Sequence, residues 1–169
     1  MLRLSHAKLA LLSGLVWALI GGLLLNIGLN LLVNSPGLTV ESDKYPLIAL
    51  LTPYLGSLQE CAIVLVAAAL FIGYFKGRYV LGKSAKRGVE RLLTFPNPTS
   101  LKNIYSAKYY ILIALMCGIG MSIKFLGIPN DVRGFIDVAI GSALINGAMI
   151  YFRAGIGLQN MPASSKSYN

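Results

Sequence analysis

Three ionisable side chains, Glu60, Lys124 and Asp137, interrupt runs of Leu, Ile, Val, Ala and Gly that otherwise carry almost no charge. In such a low-dielectric setting a charge is costly, and it is retained for structure or for function. A lysine set between two carboxylates neutralises each in part, and the amides of Asn26 and Asn30 supply donors and acceptors to complete the hydrogen bonds. Two chemistries fit this polar layer: a vestibule that attracts a cation or exchanges a proton, and an interhelical clamp that fixes packing.

Other chemistries have less to build on. The chain has two cysteines, Cys61 and Cys117, and one histidine, His6. These are too few for a four-ligand zinc site, and the cysteines fall at different depths, where each reads as a small hydrophobe. His6, just before the first apolar run, is expected at the surface. The sequence contains neither a Gly-rich phosphate loop nor a Ser/His/Asp set, so no metal, no cofactor and no enzymatic activity is expected.

The elements that must position the polar layer are membrane helices. Hydrophobic residues make up 56% of the 169 and charged residues 12%, against roughly 25% charged in a soluble domain. That composition excludes a solvated globule and a disordered chain. Four apolar stretches stand out, at 9–33, 54–75, 109–126 and 134–152, close to or above the about 20 residues that cross a bilayer. The first is longer than the apolar core of a signal peptide, about 7–15 residues. Pro46 and Pro53 break the region before the second, which sets 47–51 apart as a segment at the membrane surface. The expectation is one all-α integral membrane domain over 1–169, with four transmembrane helices and a cytoplasmic loop at 76–108.

Positive charge orients the helices, because cytoplasmic loops retain Lys and Arg. Arg3, Lys8, Lys76, Arg78, Lys83, Lys86, Arg87, Arg91, Lys102, Lys108, Arg153 and Lys166 fall on one side, whereas Lys44 and Arg133 fall on the other. Both termini are therefore expected in the cytoplasm, in a multi-pass protein of the cell membrane. This asymmetry accounts for the net charge of +9 without a nucleic-acid partner. Within the loop, Leu81, Ala85, Val89, Leu92 and Leu93 share one helical face, with Lys83, Lys86, Arg87 and Arg91 opposite. A basic amphipathic helix is expected there, lying in the headgroup region against anionic lipid.

Small residues mark packing faces. Gly14, Ala18 and Gly22 stand four apart in the first span, as do Ala139, Ala143 and Gly147 in the fourth, and such spacing lets helix backbones approach closely. A weak inverted repeat aligns Gly14, Gly21 and Asn26 with Gly134, Gly141 and Asn146, the arrangement many transporters use. These faces join helices within the chain, in a homo-oligomer or against another membrane subunit. The first functional expectation is movement of a small ion or solute through the polar layer near the outer leaflet. The alternative is a structural or accessory subunit that transports nothing.

Overall fold

The computed structural model describes residues 3–34, 45–96, 99–100 and 126–160. These form helices α1 (His6–Val33), α2 (Pro46–Leu55), α3 (Leu58–Lys76), α4 (Gly82–Leu93) and α5 (Asn130–Gln159). A single π-helical turn, Gly77–Leu81, joins α3 to α4 without a break. Among the described residues, three helical stretches are long and apolar enough to cross a membrane: His6–Val33, Leu58–Leu93 and Asn130–Gln159. The expected third span, with Lys124 and Cys117, lies outside the described residues apart from Leu126.

Helix ends follow local chemistry. The Ser57 hydroxyl accepts the Glu60 N–H and starts α3. Pro46 stands at the first position of α2, where no donor is needed. Gly56, at φ 79°, stops α2 in a conformation that side chains resist. A pair of two-residue strands, β1 (Arg3–Leu4) and β2 (Thr99–Ser100), brings residue 100 beside the start of α1. Nothing in the sequence pattern announced that pairing.

α1 and α5 pack antiparallel through glycines spaced by seven. A Cβ on Gly21 would lie 2.8 Å from the Gly141 carbonyl oxygen, and one on Gly141 would lie 2.7 Å from that of Gly21. Gly28 and Gly134 face each other in the same way, at 2.7 and 3.0 Å. The seven-residue interval drifts by only about 20° around a straight helix, so the stripe stays on one face. The four-residue stripe expected on α1 drifts further and does not form the contact. Gly22 has no neighbour within 4 Å of the place its Cβ would take, although Gly14 packs on Phe152 and Tyr151. Ala18 is half-buried beside the Trp17 cluster.

α3 runs in the same direction as α5. Gly73 packs on Ala139 and Ser142, Gly77 on Ala143 and Asn146, and Gly82 on Ile150. Gly147 is pressed against the ring of Trp17, which meets Tyr151 edge-on at 5.5 Å. One core cluster gathers Leu32, Ile48, Cys61, Leu65 and Val138 near the Val33 end of α1. A second gathers Trp17, Ala85, Leu144, Ala148 and Tyr151.

α4 departs from the expected amphipathic loop helix in what covers its apolar face. Ala85 packs into the Trp17 cluster and Leu92 onto Leu9 and Ala10, so protein covers most of this face, with Leu93 left exposed. The cause is continuity: the π turn carries α3 straight into α4 and holds it against α1 and α5. Lys83, Lys86, Arg87 and Arg91 remain exposed. His6, expected at the surface, is buried at 6% exposure, beneath the region where α4 closes over the start of α1.

Candidate polar site at the α5 N-terminus

α5 begins after Pro129, and its first turns carry three charged groups: Asp131, Arg133 and Asp137. Asp131 is completely buried. One of its carboxylate oxygens, Oδ2, accepts the backbone N–H groups of Leu47 at 2.7 Å and Ile48 at 3.1 Å, and Oδ1 accepts the Val132 N–H at 2.8 Å. The carboxylate thus sits between two helix N-termini, those of α2 and α5. Each presents unpaired donors and the positive end of its dipole.

Nothing in the sequence around Asp131 points to this role. Its position just after a proline does signal a helix start, but its partners lie 84 and 83 residues away. No local pattern could name them.

Asp137 lies six residues further along α5, 8% exposed, with Arg133 Nε 3.7 Å from its Oδ2. Among the described residues the cation beside Asp137 is Arg133, on its own helix. Glu60 is exposed in the first turn of α3, where its N–H serves the Ser57 cap. Neither a hydrogen bond nor an ion pair joins Glu60 to Asp137 among the described residues. Lys124 lies outside them.

Asn26 and Asn30 bond along α1. Asn30 Nδ2 donates to the side-chain oxygen and the main-chain carbonyl of Asn26, and Asn34 Nδ2 donates to Asn30 Oδ1 at 3.0 Å. This amide ladder lines a shallow open groove with Gly22, Leu25 and Leu29. Asn34 was missed as its third rung, although the interval of four was visible in the sequence.

Two further polar side chains of α5 bond to its own backbone. Ser142 Oγ donates to the Ala139 carbonyl and Asn146 Nδ2 to that of Ser142. Cys61 is fully buried, with the Thr52 hydroxyl 3.9 Å from its sulfur. Among the described residues, no three His, Cys, Asp or Glu side chains form a group able to hold a metal ion. What the arrangement accomplishes chemically is neutralisation: two carboxylates at one end of α5 are held by backbone donors and by an arginine. No family model, curated protein or solved structure matches the chain significantly.

Proposed function

We propose that the chain is a structural or accessory subunit of a membrane complex, with no catalysis or transport of its own. One observation carries this reading: both acids of the α5 N-terminal turns are committed to structure, Asp131 to three backbone donors and Asp137 to Arg133. A carboxylate that holds α2 in place cannot turn to a passing ion without releasing the helix. The amide-lined groove of Gly22, Asn26, Asn30 and Asn34 favours a second reading, in which a small ion or solute moves past α1 near the outer leaflet.

Proton and sodium flux into vesicles holding the purified protein separates the two. The subunit reading expects the parent protein to conduct no more than empty vesicles do. Flux that disappears in both Asn30→Leu and Glu60→Gln, with the fold intact, establishes transport and overturns it.

The reading includes four crossings, with both termini cytoplasmic in a cell membrane. Two features support it. α3 and α5 point the same way, which favours a further crossing between them. Residue 100 starts beside the beginning of α1, whereas Gly134 packs against Leu32 near the other end. The 28 residues of α1 rise about 42 Å.

The exposed basic face of α4 suits anionic headgroups on the cytoplasmic side. The apolar surfaces of α1 and α3, among them Leu19, Leu23, Ile63 and Phe71, are available to lipid, to a second copy or to another subunit.

With Cys61 and Cys117 replaced by Ala, a membrane-impermeant thiol reagent applied to sealed cells should label Gln59→Cys and spare Lys86→Cys. Labelling at Lys86→Cys alone would invert the topology.

A further inference from the structure

α2 is a ten-residue helix of about 15 Å, half the depth of a hydrocarbon core. None of its residues is charged. Ile48 is buried against α1, α3 and α5, but Leu50 is 68% and Tyr54 86% exposed, on a face shared with Pro46 and Pro53. Ile63 and Val64 of α3 are exposed as well.

The polar groups at the start of α2 are satisfied without water. Of its first four backbone positions, Pro46 has no N–H, Leu47 and Ile48 donate to buried Asp131, and Ala49 donates to the Tyr45 carbonyl at 2.9 Å. The Thr52 hydroxyl donates to the Ile48 carbonyl at 2.7 Å. A helix start in water can be hydrated and needs no carboxylate brought from a distant element. In hydrocarbon each unmade bond costs several kcal/mol, and internal satisfaction is required.

We infer that α2 is a half-helix embedded in the bilayer leaflet at the Val33 end of α1, with Leu50 and Tyr54 in contact with lipid. It is not a segment lying in water above the membrane. Pro53, which would weaken a freely hydrated helix, is tolerated where neighbouring helices hold the segment. The inference rests on the membrane-spanning assignment of α1 and α3 and is independent of whether the protein transports.

The test uses the full chain with Cys61 and Cys117 replaced by Ala, carrying a bimane label at Leu50→Cys or Tyr54→Cys, in phosphatidylcholine vesicles. Labels at Leu19→Cys on α1 and Phe71→Cys on α3 serve as spanning references. Brominated lipid should quench the α2 labels at least half as strongly as the references, and aqueous iodide should leave them nearly unquenched. Strong iodide quenching at both α2 positions, with the references quenched by lipid, places α2 in water and overturns the inference. Protection from both quenchers puts a second copy or another part of the protein on this face, and overturns it equally. If the references also escape the lipid quencher, the spanning assignment itself fails.

Discussion

Gly21→Ala should destabilise the bundle by more than the roughly 1–3 kcal/mol of ordinary overpacking, and Gly21→Leu should abolish the α1–α5 pairing altogether. The methyl of an alanine would meet the Gly141 carbonyl oxygen at 2.8 Å, with Ile145 Cγ1 at 3.0 Å and Leu144 Cβ at 3.1 Å. Rotating a side chain relieves none of this, because the first obstacle is main chain. In lipid no hydrophobic effect compensates for a widened gap, since association depends on close packing. Gly22→Ala is the matched control: the next residue in the same helix has nothing within 4 Å of its would-be Cβ. There the substitution should be neutral or stabilising by up to about 1 kcal/mol through helix propensity. Thermal unfolding in mild detergent, with gel filtration to follow assembly, reads both variants. Equal stability of Gly21→Ala and the parent would refute the close-contact assignment.

Asp131→Ala should release α2. The substitution leaves the Leu47 and Ile48 N–H groups buried without acceptors, and each orphaned donor costs roughly 1–3 kcal/mol. Asp131→Asn keeps an amide oxygen that can accept, but loses the charge that both helix N-termini favour, so its effect should be smaller. Cys61 supplies the readout: it is fully buried beside Thr52 of α2, and undocking exposes it. In a chain whose Cys117 has been replaced by Ala, maleimide labelling of Cys61 should be slow in the parent, faster in Asp131→Asn and fastest in Asp131→Ala. Labelling of Asp131→Ala at the parent rate would show that packing alone holds α2.

The two substitutions probe features of unequal legibility. The apolar runs of α1, α3 and α5 follow directly from composition, because no other structure satisfies the backbone of about 20 consecutive apolar residues in lipid. That glycines would form contact faces was likewise visible, since Gly21, Gly141 and Gly147 stood among the expected residues. The interval of four holds on α5, where Ala139 meets Gly73 and Ala143 meets Gly77, but not on α1. A spacing of four on α1 is as common in an apolar helix as a spacing of seven, and only the crossing geometry of the pair selects Gly14, Gly21 and Gly28.

The candidate site was less legible. Membership of one polar layer does not by itself bring Glu60 to Asp137, because depth constrains one coordinate of three; Lys124 lies outside the described residues. Rotation of α3 about its axis sends Glu60 to the exterior, whereas Asp137 has Arg133 beside it, four residues back on α5, as helix geometry by itself allows. Asn26 and Asn30 likewise find partners on their own helix.

By itself the sequence determined an all-helical chain with apolar stretches long enough to cross a bilayer, and small residues where helices could touch. These are properties of consecutive residues, and the bilayer and the backbone together enforce them locally. Tertiary structure alone decided that Asp131 caps a helix 84 residues away, and that α4 spends most of its apolar face on α1 and α5. Both depend on the rotation and direction of helices distant in the chain, which main-chain contact and hydrogen-bond geometry fix only once the bundle is assembled.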